Sequence, residues 1–393
     1  MTALRNPPSI VLGVTARQSL GLVAPLAEGL ATRGWDVAVI SDGQGEGSAK
    51  TVPGVAYVSL PMKRVPSPLD DMVGLLGWIR VLSSRRPDVV MVGTPKASLL
   101  GLLAARLVGV PTRIYHQRGL RLETVPPGLM RSLLVFLERV TATCATSVLA
   151  VSRSLAERLG ELRLLARRPV EVVGSGSSKG VDLSRFEGVS SERVEELRAR
   201  LGASRGLPVV ASIGRLASDK GLDDLLAASD TVASAGTRHQ LVIAGKAEDE
   251  ALVGRLAAAN RADRPVILAG RVDDIPAFLG MVDVHCLPTR REGFPNVVLE
   301  ASAAAVPTIT TDATGAVDSV VDGETGFVVP VGDVESLAEA LGALLTDRQL
   351  SAGMGSAARR RAGAAFEQAD VIAGICDYIE GAVAQTAPNG RKP

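Results

Sequence analysis

A chain of 393 residues suffices for two ordinary domains, and 46% hydrophobic residues with only 3% aromatics mean cores of Ala, Val and Leu. Three distant cysteines, Cys144, Cys286 and Cys376, lack CxxC or metal spacing, which argues against a disulfide scaffold and structural zinc and fits a reducing cytosol. The net charge of +1 hides a split: residues 1–185 hold 23 Lys+Arg against 13 Asp+Glu, and residues 186–393 hold 20 against 29. The first half is therefore expected to meet an anion. Scarce aromatics and the lack of a nucleic-acid-binding motif point away from nucleic acid, toward anionic lipid or a lipid pyrophosphate.

The N-terminus enters a first strand without the plan of a signal peptide. The most apolar run, 98–110, carries Arg106 and falls short of the roughly 20 residues that span a bilayer. A cytoplasmic chain, soluble or peripheral at the membrane's inner face, is expected. Short β-branched runs predict strands at 10–14, 36–41, 55–59, 89–92, 112–115, 147–151 and 170–173. Ala/Leu-rich stretches between them predict helices over 20–33, 72–85, 97–107, 128–144 and 153–165. Helices 72–86 and 128–140 are basic and apolar. Their apolar faces are expected to pack on the sheet, with docking on an anionic bilayer a second reading raised by the charge split.

A Gly/Ser-rich stretch, 174–191, reads as an interdomain connection. A second series then predicts strands at 208–213, 240–244, 265–268, 284–287, 308–311 and 326–329. Its helices are expected at 222–233, 249–258, 297–305, 334–346 and 350–361, and the tail after Gln385 reads as disordered. The fold class is α/β: two doubly wound Rossmann-like domains facing each other across a cleft. The expected limits are 1–185 and 186–365, with 366–393 a helix crossing back to the first domain plus the tail.

Two segments carry chemistry. After the strand at 208–213 comes GRLASDKGLDDLLAA (214–228), in which Gly214 allows a turn while Arg215 and Lys220 bring two cations to a helix start. With helix-terminal amides they would cradle a diphosphate; the plain alternative is two surface cations in a loop. The stretch REGFPNVVLEASAAAVPTITT (291–311) sets Glu292 on a loop and Glu300, eight residues on, within a helix. Carboxylates that grip sugar hydroxyls beside a phosphate site suggest a nucleotide-sugar pocket, although solvated acids on an amphipathic helix give the same spacing.

GRLxxxKGxDxLLxA, then EGFPNVVLEA, then PTITTDATGAVDSVVDGETGFVV resemble the nucleotide-binding half of the family-4 retaining glycosyltransferases of the GT-B fold. The likeness is close over 209–343 and looser before it, through AVSRSLAERL (150–159) and GVDLSRF (180–186). It implies transfer of a hexosyl or acetamidosugar unit from a nucleoside-diphosphate sugar, a UDP-sugar first, to a saccharide or polyprenyl-pyrophosphate-linked acceptor in surface-polysaccharide assembly. No cofactor and no metal are expected. Asp223–Asp224 and Asp273–Asp274, the nearest acidic pairs, read as a helix start and a loop.

The resemblance also implies roles. Arg215 and Lys220 match the pair that holds the donor diphosphate and stabilises the departing nucleoside diphosphate. Glu300 matches the ribose-binding glutamate, and Glu292 the first glutamate of E-x7-E, near the donor sugar. Backbone amides of Phe294, Pro295–Asn296, Val297 and Val298 would reach sugar and phosphate, and Gly270, Arg271 and Val272 the nucleobase. Front-face attack and a covalent intermediate on Glu292 both give retention; the family favours the first.

The first half departs from the common pattern. GVTARQSLG (13–21) lacks paired glycines, so Thr15, Arg17, Gln18 and Ser19 are expected to supply polar groups toward the acceptor. In YHQRGLRLET (115–124), Arg118 stands where many relatives have His, and His116 lies two residues earlier. His116 is a candidate sugar contact or a structural histidine; Arg118 and Arg121 are candidates for an acceptor phosphate or interdomain ion pairs. A GT-B sugar-nucleotide epimerase and a non-catalytic nucleotide-sugar-binding subunit are the alternatives. A dinucleotide oxidoreductase would need GxGxxG after the first strand, which is missing.

Overall fold

Two fully parallel sheets organise the protein, whose computed structural model describes residues 7–43, 51–62, 67–165 and 168–386. The chain divides into two units, Met1–Lys179 with Gln368–Pro393, and Gly180–Glu367. Residues just past Gly180 join the second unit through backbone contacts: the Val181 amide donates to the Phe366 carbonyl at 2.8 Å, and Phe186 is buried. Of the tail read as disordered, only Thr386 lies within the described residues.

In the first unit the elements run β1 (Ser9–Ala16), α1 (Ala24–Thr32), β2 (Asp36–Asp42), β3 (Ala56–Ser59), α2 (Pro68–Arg85), β4 (Val89–Val92) and α3 (Pro95–Val108). They continue with β5 (Thr112–Gln117), α4 (Leu129–Cys144), β6 (Ser147–Ala150), α5 (Arg153–Glu161) and β7 (Val170–Glu171). The sheet order is β3-β2-β1-β4-β5-β6-β7, so the order reverses between β1 and β4. Strands buried on both faces read as unbroken apolar runs, as Val37–Ile40 and Val89–Val92 do. On one face α1 packs with the C-terminal helix; on the other α2 packs on α3, and α3 on α4. Trp78 of α2, fully buried, fills the space left where β1 and α3 carry Gly13 and Gly101.

The second unit runs α6 (Ser191–Leu201), β8 (Val209–Ile213), α7 (Leu222–Ser234), β9 (Gln240–Ala244), α8 (Glu250–Ala258), β10 (Val266–Gly270) and α9 (Ile275–Leu279). It continues with β11 (Val284–Leu287), α10 (Asn296–Ala303), β12 (Thr308–Thr311), β13 (Gly326–Val329), α11 (Val334–Thr346) and α12 (Arg348–Phe366), after which α13 (Gln368–Thr386) returns to the first unit. Its sheet order, β10-β9-β8-β11-β12-β13, again reverses beside the first strand. Both orders are those of doubly wound nucleotide-binding sheets, whose ligands sit at the carboxyl ends of the strands at that reversal.

Several elements differ from the sequence expectation: α5 ends at Glu161, short of the expected 165, α9 falls in no expected element, and α12 runs on to Phe366. The helix expected over 20–33 is a 3₁₀ turn, Arg17–Leu22, followed by α1, because Pro25 has no amide to offer a continuing helix and fits its first turn. Helix α2 begins at Pro68 for the same reason, four residues ahead of expectation. Helix α6, placed in no expected element, starts on Ser190, whose hydroxyl accepts from the Arg193 amide, and ends on left-handed Gly202.

Candidate functional site

In the second unit the loops after β8 and β11 meet at the strand-order reversal. Lys220 Nζ donates to Glu292 Oε1 at 2.6 Å, with only 11% and 20% of the two side chains exposed. The pair joins residues far apart in sequence because β8 and β11 are parallel neighbours, with Val284 opposite Val210. Two glycines allow the approach. Gly221, at φ +65°, lies so near the β11 loop that a Cβ would stand 1.9 Å from the Pro288 carbonyl oxygen. Gly315, at φ +76°, leaves 2.3 Å from a Cβ to the Gly293 carbonyl oxygen, and beside it the Glu292 amide donates to the Thr314 carbonyl at 2.9 Å. Only a residue without Cβ fits either place.

Asp219 ties the two loops together. Its carbonyl accepts from the Arg290 amide at 2.9 Å and from the Thr289 hydroxyl at 3.1 Å. Its carboxylate pairs with Arg291 at 3.1 Å and with Arg215 at 3.4 Å. Arg215 also pairs with Glu248. Burial works against the Arg215 charge, but the Glu248 hydrogen bond and the fields of Asp219, Glu248 and Glu292 raise its pKa above the ordinary arginine value. Arg215 keeps 43% of its side chain exposed, so this cation remains reachable.

Helix α10 begins beside Glu292. Its cap residue is Pro295, whose side chain offers no acceptor to the first amides, so the positive end of the helix adjoins the Glu292 loop. Glu300 is the fifth residue of the helix and half-buried. Phe294 points inward, its ring 5.3 Å from that of Phe366, while Arg361 lies 4.9 Å over the Phe366 ring. Val298 packs in a small core with Leu287 and Val320. From this segment a ligand is therefore offered main chain, not the Phe294 or Val298 side chains. Gly270 closes β10 at φ +62°, and Arg271, exposed, pairs with Asp273 at 2.9 Å; with half-buried Val272 they sit at the carboxyl end of the sheet's edge strand.

The acidic pairs considered for a metal are engaged otherwise. Asp223 binds Arg255, Asp224 binds Arg290 at 2.8 Å, and Asp274 caps α9 and binds Arg193 at 2.8 Å. The sequence did not single out Asp219, Arg291, Glu248 or Gly315, although Asp219 stands inside GRLASDKG and Arg291 directly before Glu292.

In the first unit the corresponding reversal is stitched by Thr15 and Thr94: their hydroxyls lie 2.8 Å apart, and the Thr15 hydroxyl accepts from the Ala97 amide. Arg17 and Ser19 follow on the 3₁₀ turn after β1, both half-buried. His116 is 1% exposed near the end of β5, and burial first, with the Arg118 charge second, holds its pKa well below the usual imidazole value. Its Nδ1 lies 3.2 Å from Arg118 Nη2, so it accepts from the guanidinium as a neutral ring. Burial lowers the Arg118 pKa to about 10. Arg121 is exposed on a 3₁₀ turn, Arg121–Thr124.

Comparison with known proteins agrees in both halves. Residues 22–176 match the glycosyl transferase 4-like domain, and residues 193–361 match glycosyl transferases group 1. The chain is 35% identical over 349 residues to the capsular polysaccharide biosynthesis glycosyltransferase CapM of Staphylococcus aureus, covering 88% of this chain and 90% of that protein. It is 31% identical over 258 residues, 60% of this chain and 66% of the relative, to a GDP-mannose-dependent alpha-(1-6)-phosphatidylinositol monomannoside mannosyltransferase of Mycobacterium tuberculosis. A UDP-Gal:alpha-D-GlcNAc-diphosphoundecaprenol alpha-1,3-galactosyltransferase of Escherichia coli is 27% identical over 294 residues, 72% of this chain and 73% of that one. Among solved structures, sucrose-phosphate synthase of Thermosynechococcus elongatus superposes with a TM-score of 0.81 at 19% identity, covering 96% of this chain and all of that one.

Proposed function

The chain belongs to the family-4 glycosyltransferases of the GT-B fold, enzymes of polysaccharide and glycoconjugate synthesis, and from that premise we propose a donor, an acceptor and a stereochemical course. The donor is a UDP-sugar carrying a hexosyl or N-acetylhexosaminyl group, and transfer retains the anomeric configuration without a metal ion. The acceptor is a saccharide or a polyprenyl-pyrophosphate-linked saccharide, as in the Escherichia coli relative's name. The work is done at the cytoplasmic face of the membrane.

The observation that carries this reading is the Lys220–Glu292 pair at the strand-order reversal, with Arg215 beside it and the start of α10 adjoining. As the anomeric C–O bond breaks, negative charge grows on the diphosphate. A half-sequestered ammonium, a guanidinium and helix-terminal amides stabilise that charge more than they stabilise the ground state. Lys220 and Arg215 hold the diphosphate, and Glu300 takes the ribose hydroxyls from α10. Main chain of 294–298 steadies the sugar phosphate, and Gly270–Val272 flank the base. Glu292, held by Lys220, orients the sugar. In front-face attack the departing diphosphate oxygen accepts the acceptor hydroxyl proton, so the protein need supply no base on that face. Arg17, Ser19, His116 and Arg118 serve the acceptor, with neutral His116 positioning Arg118.

Thermal unfolding with UDP, GDP and ADP, in EDTA and then in Mg²⁺, tests the donor. Stabilisation by UDP alone, unchanged by the metal, is expected. A shift with GDP alone would replace the donor class, and a shift that needs Mg²⁺ would overturn metal independence. NMR of the first-formed transfer product reads the anomeric course, and an inverted product would refute retention.

A further inference from the structure

Among the described residues, most of the exposed large apolar side chains lie on two helices. Leu69, Met72, Val73 and Leu76 on α2, and Leu129, Met130, Leu133 and Phe136 on α4, all face solvent, Leu129 at 93% and Phe136 at 61%. The helices do not lack inward packing. Gly74, Trp78 and Leu82 of α2 are buried, as are Thr141, Ala142 and Cys144 of α4. The residues at 69, 72, 73 and 76, and at 129, 133 and 136, recur at helical spacing, so each helix presents a second apolar stripe on its outer face. Exposed patches of this kind on a soluble unit mark an interaction surface.

Charge selects the partner. Arg80, Arg85 and Arg86 at the end of α2, Arg106 on α3 and Arg139 on α4 are exposed. No acid on the three helices is exposed: Asp70 is half-buried, Asp71 pairs with Lys96 at 2.6 Å, and Glu138 accepts from the Tyr115 hydroxyl at 2.7 Å. On α2 the exposed apolar residues come first and the exposed arginines follow; on α4 exposed Arg139 follows them, while half-buried Arg131 stands among them and donates to the Val125 carbonyl. At 1.5 Å per residue, Leu69 and Arg80 are about 16 Å apart, and Leu129 and Arg139 about 15 Å. Helices α2, α3 and α4 lie side by side on one face of the sheet and run antiparallel to its strands. Their apolar N-terminal halves therefore stand at the carboxyl edge of that sheet, where Thr15, His116 and Arg118 lie. Leu107, exposed at the far end of α3, stands apart from this surface.

We infer that the N-terminal halves of α2 and α4 form a two-footed platform that docks on an anionic lipid bilayer. The apolar residues enter the acyl–headgroup boundary while the arginines engage lipid phosphates behind them. This rests on the reading of the acceptor as lipid-linked, and explains how such an acceptor arrives: docking holds the carboxyl edge of the first sheet next to the headgroups.

The test is co-sedimentation of the full chain with vesicles of phosphatidylcholine alone and with about 30 mol% phosphatidylglycerol added. Parallel samples carry Leu69→Ser/Leu76→Ser, Leu129→Ser/Phe136→Ser and Arg80→Glu/Arg139→Glu. Binding to the anionic vesicles only is expected, weakened at least about tenfold by each double variant while thermal unfolding and the UDP shift stay unchanged. No binding to anionic vesicles, equal binding to neutral ones, or serine variants that bind like the parent would each overturn it. Concentration-dependent dimers that the serine variants dissolve, without vesicle binding, would overturn it in favour of a second copy of the chain. The two readings fail separately: a missing UDP shift with intact vesicle binding removes the UDP-donor reading alone, and the converse removes the platform alone.

Discussion

Replacing Gly221 by alanine tests whether the β8 and β11 loops together set the position of Lys220. An alanine Cβ would stand 1.9 Å from the Pro288 carbonyl oxygen, where real contacts stay beyond 3.0 Å, so one loop must retreat by more than an ångström. Holding alanine at φ +65° adds about 1–2 kcal/mol of strain. Strain alone is measured by Gly236→Ala, also left-handed at φ +99° but with nothing within 4 Å of its Cβ. Both variants should lose stability in thermal unfolding, Gly221→Ala more. Only Gly221→Ala should lose kcat/KM, by about 100-fold, since a displacement of about 1 Å in a charge-stabilising group costs that much. Equal losses of activity in the two variants, or an unchanged kcat/KM in Gly221→Ala, would refute the claim that this contact positions the ammonium.

Three other outcomes are expected. Lys220→Met should lower kcat by about 100- to 1,000-fold through lost stabilisation of the leaving diphosphate, read by steady-state transfer or donor hydrolysis. Glu300→Ala should raise the donor KM with kcat largely kept, because ribose contacts are the same in ground and transition states; calorimetric titration with the nucleoside diphosphate should weaken in parallel. Stability should fall on acidification through His285, whose burial lowers its pKa from 6.5 to about 4. The unfolded chain takes that proton first, so the contribution is complete above about pH 6.5, is lost progressively toward pH 4, and amounts to about 3 kcal/mol. His116 and His239 are lowered by burial as well and act in the same direction. In His285→Asn, melting temperatures between about pH 7 and pH 5 should lose part of their slope.

The α/β alternation was legible because strands buried on both faces carry unbroken apolar runs, such as Val37–Ile40 of β2 and Val89–Val92, which is β4 in both readings. Capping chemistry was legible but was passed over at α6, where Ser190 and Gly202 bracket eleven helical residues. The pairing of Lys220 with Glu292 is of another kind. It depends on which strands become neighbours, and a cation and a carboxylate so far apart in sequence carry no mark of each other. Asp219 was hidden for the same reason, because half of its function lies in a backbone carbonyl that accepts from the other loop. The expectation that the apolar faces of 72–86 and 128–140 pack on the sheet holds for one side of 72–86, whereas no residue of 128–140 is fully buried and the buried residues of α4, Thr141, Ala142 and Cys144, lie beyond it. Periodicity pointed to the inner face, anchored in α2 by Trp78 and Leu82, but a second stripe at the same spacing is invisible until the first is buried.

The cations of the candidate donor site are already matched by carboxylates. Lys220 is held by Glu292, Arg215 by Glu248 and Asp219, Arg291 by Asp219, and Arg290 by Asp224. The more exposed of these pairs, Arg215–Glu248 and Arg290–Asp224, add little to folding stability, about 0–1 kcal/mol each, so stability does not explain that part of the network. What the network does supply is position: each side chain gives up its rotamer freedom during folding rather than when a ligand arrives. Under the proposed assignment, a diphosphate entering beside Arg215 and Lys220 would meet donors already held in place, and would compete with their carboxylates as well as with water. A ligand whose charge grows would compete better. That is the condition under which a transferring diphosphate is held more strongly as its bond breaks than before.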